Sequence, residues 1–157
     1  MARRGRAPKR TIAPDRRYQS VLVQRLINKI MQGGKKTVAE RIVYDALELA
    51  GQKAKQQPLE AFTAALDNLY PMVQLRTRRI GGSNYQIPSE VSQGRKVIMA
   101  MQWLINSARS RKGQPMHERL AYEIVDALNN TGGAFKRKEE THRMAEANRA
   151  FAHFARF

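Results

Sequence analysis

The stretch "RTRRIGGSNYQIPSE", residues 76–90, puts Arg76, Arg78 and Arg79 within four positions, ahead of a Gly-Gly-Ser-Asn turn and Tyr85. A guanidinium is planar and permanently charged; it grips phosphates with two prongs and stacks on bases. Tyr85 adds an aromatic face that a splayed base can cover. On a strand, Arg76 and Arg78 project to one side and Arg79 to the other, so the arm is basic on both faces. Charged edges also deter aggregation, but Lys and Glu commonly serve that purpose. Three arginines beside an aromatic and a double glycine fit recognition of a polyanion, and an irregular arm suits RNA better than duplex DNA.

Other chemistry is poorly supplied. His117, His142 and His153 lie on different helices or several turns apart, with no carboxylate or thiol at ligand spacing, so they read as solvated surface residues. Glu139 and Glu140 resemble a carboxylate pair, yet adjacent helical residues point about 100° apart. Lys136 with Glu140, and Glu139 with Arg143, have the i,i+4 spacing of surface ion pairs. "GGKKT" at 33–37 imitates a phosphate loop, but a Walker pattern needs Gly at position 29 and Ser or Thr at position 36; both are Lys. What remains is Gly33-Gly34 with Lys35 and Lys36 at a helix start, a place for a backbone phosphate or simply a helix-breaking turn. No catalytic residue, metal ligand or cofactor site is expected. Lys138, His142, Arg149 and His153 share a helical face opposite Met144, Phe151 and Phe154. Together with Arg137 and Arg143, that face is expected to meet nucleic acid. Trp103, beside Met99 and Ala100, is expected to pack in the core rather than stack on a base.

The elements that must hold these residues follow from periodicity. Leu22, Leu26, Ile27 and Ile30 mark a first helix stopped by Gly33-Gly34. Val38, Ala39, Ile42, Val43, Ala46, Leu49 and Ala50 stripe a second, ended by Gly51. Pro58 opens a third through Leu59, Phe62, Leu66 and Leu69, and Pro71 closes it. A period of two then takes over: Val73, Leu75 and Thr77 alternate with Gln74, Arg76 and Arg78, and Tyr85, Ile87, Ser89 and Val91 alternate after the turn. This is a β-hairpin over 72–91, with Pro88 at an uncovered edge. Two strands are marginal alone, so the arm must lean on helices or on a partner. Ser92 heads a fourth helix (Val97, Ile98, Met101, Leu104, Ile105, Ala108), and Pro115 a fifth (Met116, Leu120, Ala121, Ile124, Val125, Leu128) that "NNTGG" ends. A sixth runs from about Lys136 with Met144, Ala147, Phe151 and Phe154 inward. The expected fold is mainly α: about six helices in one domain over 1–157, a protruding hairpin, and a basic helix and tail over 132–157.

Composition narrows the class. The chain has 157 residues, 42% of them hydrophobic, with 29 Lys and Arg against 13 Asp and Glu, a net charge of +16. A compact protein so charged repels itself, and a polyanionic partner relieves that repulsion. The absence of cysteine excludes disulfides, thiolate metal sites and a cysteine nucleophile. No apolar run reaches the ~18 residues of a membrane span. Residues 1–17 hold seven basic side chains against Asp15 alone, with Pro8 and Pro14; this arm buries too little to fold and is expected to be disordered until bound. A structural nucleic-acid binder is the leading reading. An architectural duplex-DNA protein is the rival, and a nuclease lacks an acid–base or metal constellation.

Four stretches together carry a family resemblance: "INKIMQGGKKTVAERIVYDAL" (27–47), "RTRRIGGSNYQIPSEV" (76–91), "WLINSAR" (103–109) and "KRKEETHRMAEANRAFAHF" (136–154). In their order and spacing the chain resembles bacterial small-subunit ribosomal protein seven over essentially its whole length. The resemblance implies a cytoplasmic, non-enzymatic constituent of the small ribosomal subunit. Such a protein is a primary binder of the 3′ major domain of 16S rRNA that nucleates head assembly, with its hairpin near E-site tRNA and the mRNA exit path. It implies rRNA contacts for Arg3, Arg4, Arg6, Lys9, Arg10, Lys35, Lys36, Arg76, Arg78, Arg95, Lys96, Arg109, Arg111, Lys136, Arg137 and Lys138. Facing tRNA or mRNA would be Arg79, Gly81, Gly82, Ser83, Tyr85, Arg143 and Arg149. Small-subunit proteins nine and eleven are the implied protein neighbours; no membrane, cofactor or obligate homo-oligomer is implied. The chain departs from the family pattern in a sparser basic run after the hairpin (Arg95 and Lys96 only), in Gln102 before Trp103, and in its ending, "AHFARF".

Overall fold

The computed structural model of the chain describes residue 5 and residues 10–156. Six helices and one hairpin follow in the expected order: α1 (Val21–Ile30), α2 (Lys36–Ala54), α3 (Pro58–Leu69), β1 (Val73–Ile80), β2 (Ser83–Glu90), α4 (Gln93–Ser110), α5 (Met116–Leu128) and α6 (Gly132–Ala147). A 3-10 helix, Arg149–Arg156, trails α6. Two glycine signals work differently from the expectation. Gly51 lies inside α2, where a Cβ would stand 3.0 Å from the Gln56 carbonyl oxygen and 3.1 Å from Pro58 Cα. It admits the turn into α3, and left-handed Lys55 (φ 55°) ends the helix instead. Gly132 and Gly133 begin α6 rather than closing α5. Gly132 has φ +87°, and a Cβ there would meet Asp126 Cβ at 2.8 Å, so only glycine allows so tight a corner.

The core joins one stripe from each of α1 to α5, with Leu26, Ile27, Leu47, Phe62, Leu66, Met101, Leu104, Leu120 and Ile124 fully enclosed. Trp103 packs partly buried against it, as expected. α2 turns slightly from the predicted face: Leu47 is buried, whereas Val38 is 53% exposed. α6 turns further. It buries Ala134, Thr141 and Ala145, while Ala147 is exposed and Met144 half-buried.

The predicted solvated arm is corrected at residues 15–17. Asp15 is 1% exposed. Its carboxylate accepts backbone N–H bonds from Arg17 (3.0 Å), Tyr18 (2.8 Å) and Ser20 (2.9 Å). Arg17 pairs with Glu48 on α2 and lies over the rings of Tyr18 and Tyr44. A single carboxylate thus organises the turn that feeds α1.

The strands pair antiparallel, Val73 opposite Glu90 through Ile80 opposite Ser83. Gly81 (φ 57°) and Gly82 (φ 89°) form the two-residue turn. Both φ values are positive, as the tightest right-twisting hairpin loops require. One face carries Gln74, Arg76 and Arg78 opposite Ser89, Ile87 and Tyr85. Its base is the inner face: Gln74 and Ile87 are buried, and the strands rest on α6 and the 3-10 helix. The inward side is therefore the one that begins with Gln74, not the one with Val73 and Leu75.

Candidate nucleic-acid interface

Beyond its packed base, the hairpin presents Arg76, Thr77, Arg78 and Arg79 on β1 and Gly81, Gly82, Ser83 and Asn84 at the tip, all exposed. Arg79 stands on the face opposite Arg76 and Arg78, as strand alternation predicts. Tyr85 is corrected. It is half-buried, with its ring centroid 5.0 Å from that of Phe151 in a tilted contact. The ring fastens the hairpin to the C-terminal segment instead of offering a free stacking face.

A second basic strip follows the seam between α1 and α4. Lys29 Nζ donates to Gln102 Oε1 (3.2 Å), and Arg109 Nη2 donates to the Ile30 carbonyl (3.4 Å). Burial, and then the neighbouring charge of Arg95, hold the Lys29 ammonium below its usual pKa. Two cations set side by side are an electrostatic cost in the free protein, and a phosphate across them removes it. Lys29 went unrecognised in the sequence because its significance depends on α4 lying alongside. Arg95 is exposed and Lys96 half-buried. At the end of the seam Lys35 and Lys36 are exposed, and Lys36 sits 3.5 Å from Glu40.

α6 divides its basic residues. Lys136, Arg137 and Arg143 are exposed, as is Arg149 in the 3-10 helix that follows; Arg137 pairs with Glu140 at 3.1 Å and Arg149 with Glu146 at 3.4 Å. Glu140 thus takes a partner three residues away, not Lys136 four away. Lys138, expected at the rRNA, braces the fold internally as well. Its ammonium donates to the Asn68 carbonyl at 2.6 Å, at the negative end of the α3 dipole. Asn68 in turn donates to the carbonyls of Ala127 and Leu128. Arg111 is engaged within the fold likewise. It donates to Glu123 at 2.8 Å and also pairs with Asp126, so two carboxylates already answer its charge. Arg10 is exposed; Arg3, Arg4, Arg6 and Lys9 lie outside the described residues.

His142, expected at the surface, faces the hairpin's root. Its Nε2 accepts the Met72 backbone N–H at 3.2 Å. Burial, and then the Lys138 charge, lower its pKa. The unfolded chain therefore binds a proton first as pH falls, so the stability present above the ordinary pKa of ~6.5 is lost as pH drops through the folded value. The protection of the Met72 and Val73 amides against exchange, taken relative to the intrinsic rate at each pH, should fall between pH 7.5 and 5. His142→Gln should flatten that response; an equal response in both proteins would show that the imidazole does not hold the strand.

Among the described residues no His, Asp and Glu side chains group as a metal site, and no helix is long and apolar enough to cross a membrane. What the exposed groups offer is cationic: seam, outer α6 and hairpin tip. Comparison with known proteins agrees. Residues 2–149 match the family described as ribosomal protein S7p/S5e. The chain is 58% identical over 156 residues to the small ribosomal subunit protein uS7 of Chloroflexus aggregans, covering 99% of each. It is 55% identical over 157 residues to that of a Roseiflexus species, covering 100% of each, and 54% identical over 152 residues to that of Thermosipho africanus, covering 97% of this chain and 98% of the relative. With a match of that extent, and the hairpin and helices in place to bear it, this chain belongs to the ribosomal protein S7 family.

Proposed function

We propose that this protein binds the 3′ major domain of 16S rRNA directly, nucleates assembly of the small-subunit head, and holds its hairpin tip toward E-site tRNA and the mRNA exit path. As a member of its family it is a structural, rRNA-binding constituent of the small ribosomal subunit and not an enzyme. The finer reading rests on one observation: exposed cations line the α1–α4 seam, the outer side of α6 and the hairpin, although others, such as Arg41, Lys53 and Lys112, stand elsewhere on the surface. Lys35, Lys36, Arg76, Arg78, Arg95, Lys96, Arg109, Lys136 and Arg137 serve the rRNA, joined by Lys29. Arg79, Gly81, Gly82 and Ser83 at the tip, with Arg143 and Arg149, face tRNA or mRNA. Small-subunit proteins nine and eleven are its proposed neighbours.

Replacing Arg78 to Ser83 with a short neutral turn tests the division of labour. The packed base, with Gln74 and Ile87, keeps its contacts, and the other strips keep their charge. The shortened protein should enter small subunits normally, and those subunits should release E-site tRNA faster. Incorporation is measured first, then tRNA retention on the subunits formed. Failure to incorporate would move these arginines to rRNA anchoring; normal incorporation with unchanged release would refute the E-site role.

A further inference from the structure

A cleft of about 540 Å³ opens where the α1–α2 turn meets the end of α4 and the start of α5. Its apolar lining includes Met31, Val38 and Met116; among the described residues its cations are Lys35, Arg109 and Arg119, and no acidic residue lines it. Val38 is 53% exposed, although its neighbour Ala39 is buried. The cleft also continues the α1–α4 seam, since Arg109 belongs to both. Arg119 forms one wall, its Nη1 donating to the carbonyls of Arg109 (3.2 Å) and Arg111 (2.7 Å). Its Nε, shielded from solvent, has no acceptor among the described residues.

From this arrangement we propose that the cleft receives one unpaired nucleotide of the bound rRNA. This deepens the rRNA-binding reading and rests on it. Phosphate contacts alone would use only the cationic rim. The apolar floor calls for a ligand with an uncharged flat face attached to negative charge, which is what a splayed nucleotide supplies. The base covers Met31, Val38 and Met116, with the Arg109 guanidinium close enough in kind and place to stack on it. The phosphate lies toward Lys35. A volume of this size falls within the range of small-ligand pockets, so a whole nucleotide fits.

The test uses the full-length protein and a small-subunit rRNA transcript, with Val38→Gln as the probing variant and Met31→Gln as the second. Val38 is exposed, so Val38→Gln should melt with the parent. It should bind rRNA roughly ten- to a hundredfold more weakly, the range expected when one stacked base is lost. Its salt dependence should be unchanged, and one unpaired nucleotide protected by the parent should become reactive to backbone acylation. Lys35→Gln should instead lower the salt slope by about one. If both variants bind with parental affinity and footprint, the proposal is overturned. It is equally overturned if they bind rRNA normally but enter small subunits poorly in the presence of the other proteins, which would make the cleft a protein-docking surface. Absence of any rRNA protection by the parent protein would instead strike the underlying reading.

Discussion

From 50 to 200 mM monovalent salt, the affinity of this protein for small-subunit rRNA should fall about a thousandfold, given ~6 phosphate contacts. Each phosphate neutralised by Lys or Arg releases condensed counterions, and the entropy of that release shrinks as bulk salt rises. The exposed cations assigned to rRNA exceed six without recourse to Arg111 or Lys138: Lys35, Lys36, Arg76, Arg95, Arg109, Lys136 and Arg137 are all at the surface. Removing one of these charges should lower the slope by about one. Arg111→Met and Lys138→Met should leave it nearly unchanged, because their charges are spent on Glu123, Asp126 and Asn68. Filter binding across a salt series measures both quantities. A flat response would remove the electrostatic account, and a slope loss on Arg111→Met would return that residue to the interface.

Glu123→Leu should destabilise the fold by about 3 kcal/mol, the lower end for breaking a buried ion pair. For a chain of this size that lowers the melting temperature by roughly 6–12 °C. Glu123 is 1% exposed. One carboxylate oxygen accepts from Arg111 Nε at 2.8 Å, and the other accepts the Ala134 backbone N–H at 2.7 Å in the first turn of α6. The side chain thus caps a helix that lacks a cap of its own, since Thr131 makes no side-chain capping bond. Leucine leaves that N–H buried without an acceptor and leaves Arg111 to Asp126 alone. Glu123→Gln keeps an acceptor and most of the shape, so its loss should be smaller, about 1–2 kcal/mol. Urea midpoints give the comparison; equal small losses in both variants would mean that α6 is held by its apolar contacts.

These examples also show what could be read in the sequence. Helices and hairpin were legible because apolar spacing is a local property: Val43, Ala46 and Ala50 announce a stripe whatever lies opposite. The tip was legible for the same reason, since two adjacent glycines between alternating runs specify a turn. Direction was harder. Alternation divides a strand into two faces, but both faces of β1 mix polar and apolar residues, and the choice of Gln74's side was made by α6. That Lys138 and Arg111 brace the fold was hidden because their partners, Asn68 and Glu123, are 70 and 12 residues away. Asp15 was hidden more deeply: one buried carboxylate among arginines has no period at all.

The Tyr85–Phe151 contact makes the hairpin a cantilever with its fulcrum in the C-terminal segment. From Tyr85 to the turn is only about three residues, or roughly 10 Å of strand. So short an overhang, pinned at its root by an aromatic pair, swings through a narrow arc. The tip therefore meets whatever passes it as a stiff gauge set at a fixed height, and the setting screw is Phe151, on a different element from the arginines it aims.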